Sequence, residues 1–211
     1  MHTYDKNYFK IALPAALEGL FMILLASTDL IMVGALGALS IAAVSIFMQP
    51  RLILLCFSRS LASSVTLLVS QKAGAGDTNG TSDIMKKSLT LCAIFMGLLH
   101  ILFYIFLDDI FYLMGANDEY MAEAMAYGPI ALAAVYVTSL TLILQAVQLG
   151  YGRTSVIMKT NVCGNVVNLA LNALLIFGFG PIPSLGVTGA AIGTLASTIF
   201  TLAWTTWILK N

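Results

Sequence analysis

The chain has 211 residues, of which 59% are hydrophobic and only 9% charged, with ten basic side chains balanced by ten acidic ones. Soluble domains carry about 25% charged residues, so this composition argues against a water-soluble enzyme, a disordered segment and a basic nucleic-acid-binding surface. At about 20 apolar residues per crossing, it describes a polytopic membrane protein with room for about six transmembrane helices.

In chain order, uninterrupted apolar runs predict spans over about 11–33, 39–69, 88–107, 127–149, 160–177 and 185–209. They are too long for strands and lack β-barrel alternation, so they are helices. The first is too long for a signal peptide and has no small-residue cleavage site after it; Pro14 marks its first turn. The second would extend about 46 Å at 1.5 Å per residue, more than a ~30 Å hydrocarbon core, and Pro50 in its middle predicts a kink. His100, in the third run, reads as a satisfied core residue. Cys56, Cys92 and Cys163 show no metal or disulfide spacing and read as small hydrophobes. Gly74-Ala75-Gly76-Asp77 is a turn without the lysine of a phosphate loop. The glycines between Gly186 and Gly193 read as a packing face for close helix approach. No GxSxG or HExxH pattern supports an enzyme.

Charge sets the orientation. Lys6, Lys10, Lys72, Lys86, Lys87, Arg153, Lys159 and Lys210 all fall on one side of a six-span plan, whereas Asp108, Asp109, Asp118, Glu119 and Glu123 gather in one loop on the other. The positive-inside rule then predicts that both termini are cytoplasmic. Four ionisable residues remain inside the membrane: Glu18, Asp29, Arg51 and Arg59. Each costs about 2.5–3.5 kcal/mol at a helix centre, so such residues face a bundle interior or a water-filled cavity.

Asp29 lies five residues before Gly34, about 7–8 Å from the outer end of the first span. In the fifth span Asn168 and Asn172 form an i,i+4 pair, and Asn172 lies about 9 Å from the same end. Thr194, eight residues beyond Gly186, reaches that layer from the sixth span. A carboxylate, two amides and a hydroxyl at one depth suit a proton or a hard monovalent cation, because oxygen ligands favour hard cations and a carboxylate removed from water can cycle its proton. The plainer alternative is that the amides and hydroxyl bridge neighbouring helices. Glu18 lies nearer the cytoplasmic end, within reach of water. Arg51 and Arg59 are expected either to pair internally with the two carboxylates or to line a cavity that accepts anionic groups.

Several segments carry a family likeness. Ala12-Leu13-Pro14 opens the first span and Thr28-Asp29-Leu30-Ile31-Met32-Val33-Gly34 closes it, with Leu36-Gly37 following. Val69-Ser70-Gln71-Lys72-Ala73-Gly74-Ala75-Gly76-Asp77 comes next. Asn168-Leu169-Ala170-Leu171-Asn172 leads into Leu174-Leu175-Ile176-Phe177-Gly178, and Leu185-Gly186-Val187-Thr188-Gly189-Ala190-Ala191-Ile192-Gly193-Thr194 begins the sixth span. In this order and spacing they resemble the amino-terminal half of a multidrug and toxic compound extrusion (MATE) transporter.

The resemblance implies an all-α membrane protein, residues 1–211 forming a single six-helix lobe of a twelve-helix transporter with two lobes around a central cavity. It implies secondary active efflux of amphipathic, often cationic, small molecules across the cell membrane, with a proton or sodium as coupling ion and no other cofactor. The partners it implies are the substrate, the bilayer and a second six-helix lobe, from a longer chain or another copy, and no nucleic acid. The coupling residues it implies are Asp29, Asn168, Asn172, Thr194 and the backbone carbonyl of Ala190, and the one metal is sodium at Asp29. Some family members carry Asp where this chain has Asn172, which leaves proton and sodium coupling both open. Glu18, Arg51 and Arg59 stand outside the pattern as cavity or ion-pair residues. Because the chain stops where a second lobe is expected to begin, its length reads as half a transporter, a fragment or a chain that must pair. A lipid-linked sugar flippase using the two arginines, and a self-associating six-helix structural or channel module, are the alternative readings.

Overall fold

The computed structural model of the chain describes residues 13, 16–17, 19–20, 23–24, 27–181 and 183–210. Helix α1 is continuous over 27–34 among these, followed by α2 (Ala38–Ile46), α3 (Met48–Gly74), α4 (Thr78–Ile105), α5 (Leu107–Leu113), α6 (Asp118–Gly150), α7 (Thr154–Phe177) and α8 (Gly186–Lys210). Among the described residues, Ala38–Gly74, α4, α6, α7 and α8 are each long and apolar enough to cross a bilayer, five spans in all. The chain is a multi-pass, all-helical membrane protein. The span expected over 11–33 lies in part outside the described residues, and Pro14 and Glu18 both fall outside them.

The second apolar run is broken rather than straight. Pro50 has no N–H to give the carbonyl four residues back, at Ile46, and its ring crowds that carbonyl. Accordingly α2 ends at Ile46, Phe47 forms a turn, and α3 restarts at Met48.

Helix ends depart from the expected spans because hydropathy marks the bilayer whereas capping marks the helix. The α3 helix runs on to Gly74, and α4 begins at Thr78, where the Asp77 side chain accepts the Gly80 N–H at 2.8 Å. Helix α6 begins at Asp118, with Asn117 Oδ1 accepting the Glu119 N–H at 3.2 Å. The acidic residues expected in a loop are therefore largely helical. Asp118 and Glu119 occupy the first turn of α6, and Asp108 and Asp109 that of the unexpected short helix α5. Carboxylates there oppose the positive end of the helix dipole. The connections around 34–38, 105–118 and 178–186 define what we term the acidic end of the bundle, and those around 74–78 and 150–154 the basic end.

Helix α6 is the hub. It packs against α2, α3, α4, α5, α7 and α8, and 61% of its most apolar stretch is buried, against 17–33% in the other spans. The main core lies between α6 and α2–α5. There Phe47 stands edge-on to Phe111 and Tyr127, with ring centroids 6.5 and 5.8 Å apart, over Leu54, Val69, Met96 and Ile143. Polar cross-links lock the same helices: Ser58 Oγ donates to Ser139 Oγ at 2.7 Å, and Tyr136 OH to the Ala93 carbonyl at 3.2 Å. His100 belongs to this core, with Nδ1 2.7 Å from the Met96 carbonyl oxygen and its ring 5.5 Å from that of Tyr136.

The other half of the bundle, α7 and α8, approaches through glycine. A side chain at Gly189 would strike the Leu175 carbonyl of α7, and one at Gly193 would strike Asn172. Gly189→Ala should therefore destabilise the fold by about 1–3 kcal/mol, the usual cost of overpacking, because a backbone carbonyl cannot rotate aside. A detergent unfolding titration checks this, and an unchanged midpoint contradicts it. Asp77 supplies a pH-dependent test. The Gly80 N–H, then the bond from Lys72 (3.0 Å), hold its carboxyl below the usual range. A lowered folded-state value contributes stability above the unfolded value of about 3.9, lost as pH falls through the folded one. Asp77→Ala should lower the unfolding midpoint at neutral pH, and its gap from the wild type should close below about pH 4.

Candidate functional site

Three helices converge on a polar layer near the acidic end. From α1, Asp29 is half-buried; from α7, Asn172 and Asn168 are buried; from α8 comes Thr194, with its hydroxyl turned back on its own helix. Asn172 Nδ2 donates to Asp29 Oδ1 at 3.0 Å, and Thr194 Oγ1 donates to the Ala190 carbonyl at 2.9 Å. The Asn168 amide is oriented by its neighbours. With its nitrogen toward Asp29 it donates to Oδ2 at 3.0 Å and Oδ1 at 3.2 Å, while its carbonyl accepts from Ser197 Oγ and the Thr194 N–H, both at 3.3 Å. The reverse orientation sets Asn168 Oδ1 3.3 Å from Asn172 Nδ2 and Nδ2 3.3 Å from Thr194 Oγ1, with a carbonyl oxygen facing the carboxylate. Asp29, Asn168, Asn172 and Thr194, expected at one depth, are brought together, and the Ala190 carbonyl that the family resemblance implies lies one turn before Thr194.

Three members of the layer, Asp29, Asn172 and Thr194, have an apolar partner one turn nearer the acidic end. Four residues on from Asp29 is Val33, four on from Asn172 is Ile176, and four back from Thr194 is Ala190. These three pack together with Met32, Val44 and Tyr127 at their rim, and Ile176 is fully buried. The polar layer is thus lidded by hydrocarbon toward that end, which strengthens its electrostatics by excluding water.

One oxygen in the layer stands unused. Asn172 Oδ1 is buried without a hydrogen-bond donor, pressed against the bare backbone of Gly193. A buried carbonyl oxygen left unpaired costs about 1–3 kcal/mol, so the position favours any species that supplies positive charge or a proton. The oxygens of Asp29, Asn172, Thr194 and Ala190 form a hard-donor set suited to a proton or a monovalent cation. Among the described residues, no group of three or more His, Cys, Asp or Glu residues is placed to hold a metal ion.

Sequence reasoning missed one participant. Ser197, three residues after Thr194, donates to its carbonyl at 2.8 Å and faces Asn168; its place one turn beyond a predicted ligand was the available signal. Gly193, in the face expected for close helix approach, lies directly against the Asn172 amide.

For the two arginines the sequence leaves internal pairing and cavity lining both open, and Glu18, one of the two carboxylates, lies outside the described residues. No ion pair joins Arg51 or Arg59 to a described residue; the ion pairs among these are Lys72–Asp77 and Lys87–Asp83, at 3.0 and 2.7 Å. Arg51 is exposed at the start of α3, within electrostatic reach of Asp29 and Tyr127 but not bonded to either. Both side chains leave α3 on faces turned away from the main core. Arg59 instead lines a cleft between α3, α6 and α7.

The Asp29–Asn172 bond is directly testable. In a double-mutant cycle with Asp29→Ala and Asn172→Ala, unfolding free energies should show a coupling of about 0.6–1.7 kcal/mol, the range for hydrogen bonds between membrane helices. Additive effects would show that the bond contributes nothing.

Comparison with known proteins follows this geometry. The MatE family model matches residues 14–174. A curated relative, the probable multidrug resistance protein NorM of Rhizobium meliloti, is 29% identical over 185 residues, covering 88% of this chain and 39% of its own length. The FAD transporter of Shewanella oneidensis is 28% identical over 187 residues, covering 86% and 40% respectively. Among solved structures, a MOP superfamily transporter from Pyrococcus furiosus aligns with a TM-score of 0.88 at 25% identity, over 97% of this chain and 44% of its own. A mutant of the Vibrio cholerae MATE transporter VcmN aligns with a TM-score of 0.90 at 22% identity, over 97% and 46%. The chain spans less than half the length of these relatives.

Proposed function

The chain belongs to the MatE family of multidrug efflux transporters, and on that premise we propose that it acts as one six-helix lobe of a secondary antiporter. That antiporter exports amphipathic small molecules in exchange for inward protons or sodium ions, and Asp29 carries the coupling charge. The apolar run over 11–33 is read, from its sequence, as the remaining crossing. The basic end faces the cytoplasm of the cell membrane, following the positive-inside rule, and a second lobe completes the cavity. The family relatives are transporters rather than enzymes, and they do not favour a lipid-linked sugar flippase.

The observation that carries this reading is the bond from Asn172 Nδ2 to the Asp29 carboxylate, in a layer lidded by Val33, Ile176 and Ala190. An ionised Asp29 accepts from Asn172 and, with its amide turned inward, from Asn168. Protonation converts one carboxyl oxygen into a donor, and that donor needs an acceptor. Reversing the Asn168 amide offers Oδ1 for the purpose. Sodium entry would make the same demand for oxygen and would draw in Asn172 Oδ1, the buried oxygen without a donor. In either case the charge-assisted bonds from α7 to α1 weaken, because they are strongest to a full negative charge.

Helix α1 then repacks against α7 and α8, and the population shifts between inward- and outward-open forms. The shift is limited to the ion's differential affinity for the two forms, which is why the tie must be made in one and loosened in the other. In cells expressing the intact transporter, Asp29→Asn should reduce gradient-driven efflux to that of cells lacking it, with membrane insertion unchanged. Wild-type efflux by a properly inserted mutant would refute the assignment.

A further inference from the structure

A second polar feature lies outside the layer around Asp29. Between α3, α6 and α7 is a cleft of about 630 Å³, within the 300–1,000 Å³ common for small-molecule sites. Its α3 wall is one helical face, residues 59, 62, 63, 66, 67 and 70, and its α6 wall another, residues 142, 145, 146 and 149. The cleft opens at the basic end, beside Ser70 and Thr154, and runs inward to Arg59. Arg59 is fifteen residues from the end of α3 at Gly74, about 22 Å along the helix. Its inner end therefore lies deep in the span.

The lining is asymmetric in charge. Among the described residues lining the cleft, Arg59 is the one that is charged, and none is a carboxylate. It forms no ion pair with a described residue. One turn along the same face, the exposed Ser63 adds a hydroxyl donor. Gln145 Nε2 is committed to Asn161 Oδ1 at 2.6 Å, and the Thr66 hydroxyl to the Ala62 and Ala146 carbonyls at 3.0 and 3.3 Å. The free donors are thus concentrated at Arg59 and Ser63, while Leu67, Leu142 and Leu149 supply apolar wall. At that end of the bundle Arg153 precedes Thr154, and Lys72, two residues past Ser70, is paired with Asp77 at 3.0 Å. The positive charge at the inner end, between low-dielectric walls, focuses a field that draws anions inward. A cationic group would meet the same field as repulsion, with no carboxylate in the lining to offset it.

We propose that this cleft binds the anionic head of an amphipathic molecule, with Arg59 and Ser63 holding the negative group and the leucine walls holding its apolar body. A guanidinium presents a planar fork of donors that matches carboxylate or phosphate oxygens, and its ligand offsets the cost of a charge held in the span. The assignment names the substrate class of the transporter proposed above and rests on that reading. It replaces the cationic compounds implied by family likeness with anionic ones.

Matched fluorescent probes test it on the intact transporter purified into nanodiscs, with dansylglycine as the anionic amphipath and dansylcholine as the cationic one. The wild type should bind dansylglycine at least about tenfold more tightly, a difference of about 1.4 kcal/mol. Arg59→Gln should abolish the preference, Arg59→Lys should keep most of it, and Ser63→Asp should reverse it. Equal melting temperatures for the variants separate loss of the site from loss of the fold. Adding phosphatidylglycerol to the nanodisc identifies the source of the anion. Displacement of the probe in the wild type but not in Arg59→Gln assigns the site to a lipid headgroup, and retention assigns it to a soluble amphipath; both support the cleft. A dansylcholine preference, or dansylglycine binding indifferent to Arg59, overturns it. The measurement needs no ion gradient, so its failure leaves coupling at Asp29 untouched, and failure of coupling leaves the probe preference standing.

Discussion

The hydrogen bond from Asn172 on α7 to Asp29 on α1 is the contact around which the functional half of the bundle is arranged. A carboxylate in a membrane span is tolerated where neighbouring helices deliver donors to it, and delivering them sets conditions on every neighbour. Asn172 must be pushed toward α1, and the glycine at 193 lets α8 lie against its amide instead of displacing it. Gly189 lets the same two helices meet a turn closer to the acidic end. Val33, Ile176 and Ala190 close over the layer with hydrocarbon. Each of these features follows from holding one charge on one helix with amides from another.

The two halves of the bundle are held together by different means. Helices α2 to α6 share a continuous apolar core, with aromatic rings at its centre and hydroxyl cross-links between α3 and α6. Such a core has one good packing and resists gradual deformation. The α1, α7 and α8 side has a small apolar cluster, small residues at its contacts, and a polar layer whose hydrogen bonds can be exchanged among several partners. A charge change at Asp29 therefore acts where the bonding has alternatives. This arrangement suits a lobe in which one part serves as a frame while another responds to the ion.

Much of the candidate site was legible in the sequence because depth in a membrane can be counted. Gly34, Gly178 and Gly186 mark helix ends, and residue steps from them put Asp29, Asn172 and Thr194 in one layer. Periodicity put Asn168 and Asn172 on one face. The helix ends were less legible, since Asp77 and Asn117 start α4 and α6 through capping bonds that hydropathy does not register, and the break at Phe47 needed Pro50 to announce it. Short α5 was hidden because seven residues of mixed polarity carry no span signal. The place of the arginines was not legible, because a charge count does not say which helix faces meet, whereas α3 directs Arg59 into a cleft shared with α6 and α7. Ser197 escaped notice because a hydroxyl has meaning only relative to a neighbouring helix.

The central claim is that the Asp29 carboxyl itself changes state as the coupling ion arrives and leaves. Infrared difference spectroscopy on the membrane-embedded chain, stepping pH and then sodium concentration, reads that change at the carboxyl group. The account predicts a carboxyl or carboxylate stretching band that responds to one of these steps, shifts in Asn172→Ala and vanishes in Asp29→Asn. A difference spectrum identical in wild type and Asp29→Asn would contradict it.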